Sequence, residues 1–404
     1  MISLADIQGA AKLLYGKVLR TPLVYSPTFS EMTGAEVYLK LENLQKGGSF
    51  KIRGATNKIQ SHLDEIKSKG VIAASVGNHA QGVALAARAA GVPATIIMPV
   101  WASIAKQQAT RGYGARLILE GHSLVESIAV GQRMAAETAR KFIHPYDDEK
   151  VMAGQGTIGL EILEDLPDAD CILVPVGGGG LIAGIATAAK AIRPDIRVVG
   201  VQSSACPSAS RALQAGRPVE LMAEEIGALA DAIMVTQVGD AAFPIMQTMV
   251  DDMVQVDEDQ IASAMLLLLE RKRILAEGAG AVPLAALLGG KPAIVRGSRV
   301  VLVISGGNVD SLILDRIIAR GLALQGRLMR FSVCLEDVPG SLAGLLDLLA
   351  GQQANVVHIH HVRNESSLAI NYTRVDLELE TRGFEHIKEI EGAVKGAGYG
   401  FKLR

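Results

Sequence analysis

The stretch Cys171-Ile172-Leu173-Val174-Pro175-Val176-Gly177-Gly178-Gly179-Gly180-Leu181-Ile182-Ala183 decides the fold. Its first half is a short apolar run without in/out alternation, as expected of a strand buried on both faces of a parallel sheet. Four glycines end it, and a helical pattern follows. The run from Cys171 to Ala189 is long and apolar enough to suggest a membrane span, but Pro175 and the glycines split it into strand and helix, so it reads as buried core. A strand entering a helix through bare glycines is a βα unit. Its uncovered amides, at the positive end of a helix, suit a phosphate dianion.

The same alternation extends outward in both directions. Glu36–Glu42, Val71–Val76, Ala94–Pro99, Ala115–Glu120, Cys171–Val176, Ile196–Gln202 and Arg299–Ser305 read as strands. Helical patterns such as His79–Ala90, Ser123–Lys141 and Gln260–Arg271 lie between them. This predicts an α/β fold with open, mostly parallel sheets. Past the helix Ser311–Arg320 the pattern is interrupted over Gly321–Gly326, and the order becomes strand, helix, strand, strand, helix, strand. The elements there are Leu328–Glu336, Ser341–Gly351, Asn355–Arg363, Leu368–Leu379, Glu385–Gly396 and Gly398–Leu403, a complete βαββαβ unit. The boundary is placed near residue 326, dividing the chain into 1–326 and 327–404. A smaller subdomain at about 52–150 is inserted in the first part.

Hydrophobic residues make up 49% of the chain and charged residues 20%, with 4% aromatics and a net charge of −2. Scarce aromatics and scattered Lys and Arg argue against nucleic acid or an anionic membrane as partner. Cys171, Cys206 and Cys334 are far apart and form neither a zinc spacing nor a disulfide framework, which fits a reducing cytosol. Asp6 and Lys12 interrupt the N-terminal segment, so no secretory signal is read and a cytoplasmic location is expected.

Three further motifs stand at strand-to-helix turns. In Ser49-Phe50-Lys51-Ile52-Arg53-Gly54-Ala55 a lysine occupies the first turn of a helix, where the helix dipole and Arg53 disfavour its charge. A neutral amine there can form an imine with an aldehyde; the plain alternative is a solvated surface lysine. In Ser75-Val76-Gly77-Asn78-His79 the free amides of a helix start, with the Ser hydroxyl and Asn amide, make a carboxylate site, and Asn78 can reach a phenolic oxygen. Ordinary capping by Ser75 or Asn78, with His79 packed in the helix, explains the same residues. In Val303-Ile304-Ser305-Gly306-Gly307-Asn308 the Ser305 hydroxyl is suited to bond a pyridine nitrogen without protonating it.

For the glycine loop, a dinucleotide site competes, since Gly178, Gly180 and Ala183 satisfy G-x-G-x-x-A. That reading needs an acid at the end of the next strand, which ends instead in Gln202, so a lone phosphate is preferred over NAD. Four such motifs at the carboxyl ends of strands, where open α/β sheets bind ligands, reinforce one another.

Together these motifs resemble the fold-type II pyridoxal-phosphate enzymes over roughly residues 5–320, and within them the threonine ammonia-lyases (threonine dehydratases). The resemblance implies that Lys51 carries pyridoxal 5'-phosphate as an imine and that Phe50 packs beside the ring. It places Asn78 at the ring hydroxyl, Gly177, Gly178, Gly179, Gly180 and Leu181 at the phosphate, and Ser305 at the pyridine nitrogen. Ser75, Gly77, Asn78 and His79 are the expected substrate-binding residues.

Residues 328–404 are similar to an ACT domain, through Asp337-Val338-Pro339-Gly340-Ser341-Leu342, which implies a small amino-acid effector near Gly340 and Asn355. A domain that only pairs subunits is the alternative. The implied activity is β-elimination of ammonia from threonine, and from serine, in a homo-oligomer (dimer or tetramer). Serine racemase, hydroxyaspartate dehydratase and a non-catalytic amino-acid sensor are the rivals.

Gly47, Val76 and Ala232 depart from the family pattern in ways that reshape a substrate pocket. Gln202 stands where some relatives place a cation-binding Glu, so no metal is assigned.

Overall fold

The computed structural model describes residues 1–221, 228–363 and 368–403, and divides the chain into two compact units, Met1–Ser311 and Leu312–Arg404. The strands of the first unit are β1 Leu23–Tyr25, β2 Glu36–Leu41, β3 Val71–Ala74, β4 Ala94–Met98, β5 Arg116–Leu119, β6 Lys141–Phe142, β7 Cys171–Pro175, β8 Arg197–Ser203, β9 Asp252–Val256 and β10 Arg299–Ile304. They form a sheet ordered β1-β2-β10-β7-β8-β9 and a second ordered β5-β4-β3-β6. Apart from the antiparallel β1–β2 pair, neighbours run parallel.

Each strand expected from its apolar run is present. β7 and β4 are buried along their whole length, which is why their sequences do not alternate. Helices such as Glu149–Asp165 and Gly180–Ile192 cover the larger sheet, and residues such as Ile172, Val198 and Val301 form its core. Burying each such side chain contributes about 1.5–3 kcal/mol relative to exposure. β1 and β6 escape sequence reading because they have 3 and 2 residues. The acidic Asp251–Asp259 stretch forms the edge strand β9 and the start of the helix Glu258–Lys272, capped by Asp257.

The second unit starts with the helix Ser311–Leu324, which runs through Gly321 and stops only before Gly326, at φ +66°. The interruption expected from Gly321 is therefore shorter. One glycine inside an otherwise good helix costs about 1 kcal/mol, too little to break it. Strands β11 Leu328–Glu336, β12 Asn355–Val362, β13 Tyr372–Glu380 and β14 Gly400–Leu403 form an antiparallel sheet ordered β12-β13-β11-β14. The helices Ser341–Gly351 and Phe384–Gly396 pack on it, completing the βαββαβ order. Among the described residues no helix is long and apolar enough to cross a membrane.

Candidate active site

The order β2-β10-β7 places three strand ends side by side: Ile304 pairs with Leu41, and Leu302 with Leu173. The segments leaving those ends are the turn to Lys51, the Ser305 loop and the glycine loop. Ser49 bridges Gly306, and the Phe50 N–H donates to the Ser305 carbonyl at 3.1 Å. A cavity of about 560 Å³, counting its open mouth, is lined by Phe50, Lys51, Asn78, Ser305 and the run Gly177–Leu181.

The glycine loop has a steric reason for its composition. A Cβ on Gly178 would sit 2.3 Å from the Tyr146 ring, and one on Gly180 2.5 Å from the Tyr146 carbonyl. Gly179 adopts φ +91°, a left-handed conformation that side chains avoid. Among the described residues, the N–H groups of Gly177, Gly178 and Gly179 have no acceptor. Orphaned amides at the start of the helix Gly180–Ile192 fit a phosphate. With Lys51 in the same cavity, the residues present fit a phosphorylated aldehyde.

Lys51 opens the helix Lys51–Ser61, and its Nζ donates to the Pro145 carbonyl at 2.8 Å. Burial lowers its pKa to about 8, against a smaller opposing pull from Glu277. The sequence reading gave Arg53 a part in this, and the structure assigns it elsewhere. Arg53 is buried, with Nη2 2.7 Å from Glu42 Oε1 and Nη1 2.6 Å from Glu161 Oε1, while Lys40 Nζ lies 2.6 Å from Glu161 Oε2. Burial works against the Arg53 charge, but the two carboxylates outweigh it and hold its pKa above the ordinary value. Two cations and two anions thus balance beneath the Lys51 helix.

Asn78 lines the cavity, whereas Ser75, Gly77 and His79 do not. The His79 Nε2 is 2.8 Å from the Ile143 carbonyl, and burial pushes its pKa down to about 3, so its side chain is a neutral packing group. The Ser75 hydroxyl accepts the Gly77 N–H at 3.2 Å. Gln202 is buried, donating to the Val176 carbonyl at 3.3 Å and accepting the Ser210 N–H at 3.0 Å. Among the described residues no group of three His, Cys, Asp or Glu side chains is placed to hold a metal ion.

In the second unit, Gly340 has φ +95° with open space where a Cβ would be, and the Asn355 Nδ2 donates to Glu380 at 3.3 Å.

Two side chains of the site were missed from sequence. Tyr146 packs edge-on against His144, at 4.8 Å between ring centres, and covers the glycine loop. Glu277 is 5% exposed, lines the cavity and accepts from Asn78 Nδ2 at 2.6 Å. Burial, then Asp231, push its pKa up to about 8. A lone acid in Ile274-Leu275-Ala276-Glu277-Gly278-Ala279-Gly280, opening a wholly apolar helix, was the available signal.

The chain is 47% identical over 403 residues to the L-threonine ammonia-lyase of Thermotoga maritima, covering 100% of each. It is 48% identical over 399 residues to that of Geobacter sulfurreducens, covering 99% and 98%. Among solved structures, the threonine deaminase of T.th. matches with a TM-score of 0.72 at 39% identity, over 76% of this chain and 99% of that one. Maize serine racemase matches at 0.74 and 36%, over 80% and 98%. Residues 14–306 match the family model described as pyridoxal-phosphate dependent enzyme, and the chain belongs to that family.

Proposed function

We infer that the chain is a threonine ammonia-lyase, converting L-threonine to 2-oxobutanoate and ammonia, and L-serine to pyruvate and ammonia. The observation that carries this reading is Lys51 sharing one cavity with the unpartnered amides of Gly177–Gly179, in a chain near half identical to two L-threonine ammonia-lyases over their full lengths. When bound, pyridoxal phosphate supplies an aldehyde for the amine of Lys51 or substrate, and a ring that takes up electron density from the α-carbon.

The residues do the rest. The glycine amides anchor the phosphate, Phe50 packs beside the ring, and Ser305 meets the ring nitrogen without charging it. Lys51, with its pKa near neutrality, takes the α-proton. Loss of the α-proton and the β-hydroxyl together amounts to one water, and hydrolysis of what remains releases the oxo acid and ammonia. Ser75, Gly77 and His79, beside Asn78 at the helix start, bind the substrate carboxylate, with the Asn78 and His79 N–H groups as donors that have no acceptor among the described residues. Open space at Gly77 supports this, since no atom lies within 4 Å of a Cβ built there.

The βαββαβ unit, residues 327–404, acts as an ACT-like domain that binds a small amino acid near Gly340 and Asn355. The enzyme works in the cytoplasm as a homo-oligomer. The deciding experiment incubates protein and pyridoxal phosphate with L-threonine, L-serine, D-serine and L-3-hydroxyaspartate and measures oxo-acid formation. Fastest turnover of L-threonine is expected, and none from it ends this reading. Equilibrium dialysis with isoleucine, valine, threonine and serine tests the C-terminal unit; binding of none of them rejects an effector site.

A further inference from the structure

The Asn78 side chain is held on two sides. Its Oδ1 accepts from Asn308 Nδ2 at 2.8 Å, and its Nδ2 donates one hydrogen to Glu277 Oε1 at 2.6 Å. Asn308 is fixed in turn, donating to the Gly47 carbonyl at 2.7 Å, in the turn that leads to Lys51. An amide nitrogen carries two hydrogens, so Asn78 keeps one donor for the cavity it lines. The fold makes room for this clamp. A Cβ on Gly306 would lie 2.3 Å from Glu277 Oε1, and one on Gly48 2.3 Å from Asn308 Oδ1.

We propose that Glu277 is a positioning residue for the reaction: with Asn308 it fixes the Asn78 amide so that the remaining N–H is presented to the ring oxygen of the bound cofactor. The proposal rests on the family's cofactor lying in this cavity. A rotated Asn78 would offer its carbonyl to an oxygen that itself accepts, and the interaction would turn repulsive. The acid form of Glu277 serves this role best, because it accepts from Asn78 without adding an anion beside a ring that must take up electron density.

Its charged surroundings are Lys51 and the exposed Asp231–Lys106 ion pair, whose Nζ and Oδ2 are 2.7 Å apart. Burial and Asp231 favour the acid form; Asn78, Lys106 and Lys51 work the other way.

The test compares wild-type holoenzyme with Glu277→Ala, Glu277→Gln and Asn308→Ala. Cofactor dissociation constant, the pH midpoint of cofactor absorbance, kcat and KM for L-threonine are all measured. Glu277→Ala is expected to weaken cofactor binding and lower kcat by about tenfold, with KM changed less than about threefold, as for one lost oriented hydrogen bond. Its absorbance midpoint should shift, which a purely structural defect would not cause.

Glu277→Gln keeps an acceptor and should restore kcat near pH 7 to within about threefold of wild type. Where Glu277→Ala does not fold, Asn308→Ala carries the test, and the same midpoint shift is expected. Wild-type behaviour of the folded alanine variants, or a folded Glu277→Gln as impaired as Glu277→Ala, overturns the proposal. A wild-type protein that makes no oxo acid would instead refute the threonine reading. The binding and absorbance comparisons would still judge Glu277.

Discussion

The Lys51 Nζ donates to the Pro145 carbonyl at 2.8 Å, joining the first turn of a helix to a segment 94 residues later. The bond aims the amine across the cavity that also holds the glycine loop, with the Phe50 ring 5.2 Å away. Replacing Lys51 with Ala removes both the imine and the proton acceptor. Turnover should fall by at least about a thousandfold, as for loss of a positioned base, and the imine absorbance should vanish. Full activity in that variant rejects the site.

Gly178 and Tyr146 constrain each other, since the ring occupies the space a side chain on Gly178 would need. Gly178→Ala should weaken pyridoxal-phosphate binding about tenfold or more, read by fluorescence titration. In a double-mutant cycle Tyr146→Ala should recover part of that loss, because it removes the obstructing ring. Strict additivity would place the damage elsewhere.

Glu277 makes the cofactor-free protein pH-sensitive in a defined direction. Its pKa rises from 4.5 to about 8 on folding, so between those values the folded state holds a proton that the unfolded state has released. Its contribution is fully present below pH 4.5 and is lost as pH rises through about 8. Lys51, lowered from 10.5 to about 8, changes its own contribution only above that range. Urea unfolding from pH 5 to 8 should therefore show wild type losing stability relative to Glu277→Gln as pH rises. Parallel curves would refute the shift.

Arg53 is a structural ion. Arg53→Met leaves Glu42, which is 0% exposed, without its cation, and should destabilise the protein by about 3–5 kcal/mol in urea unfolding. Replacing Lys395, whose ion pair with Glu391 lies at the surface, should cost about 1 kcal/mol or less.

Much of this was legible in the chain because it is local. The apolar runs of β3, β4, β7 and β10 mark buried parallel strands, and those of β3, β7 and β10 end in turns whose small residues suit a ligand. Short or edge strands such as β6 and β9 gave weaker patterns, since few residues carry their signal. Phe50, Lys51, Asn78, Ser305 and Gly177–Leu181 all stand at strand-to-helix turns that local sequence marks, although the cavity they share is not local.

By itself the sequence determined most of the secondary structure, the parallel sheets and the turns that present ligand-binding atoms, because these follow from residue type and spacing. Only the tertiary structure decided what charges those atoms carry and how they are aimed. Asn78 meets Glu277 across 199 residues of chain and Arg53 meets Glu161 across 108. Electrostatic environment depends on distance in space and on exclusion of water, which no local pattern records.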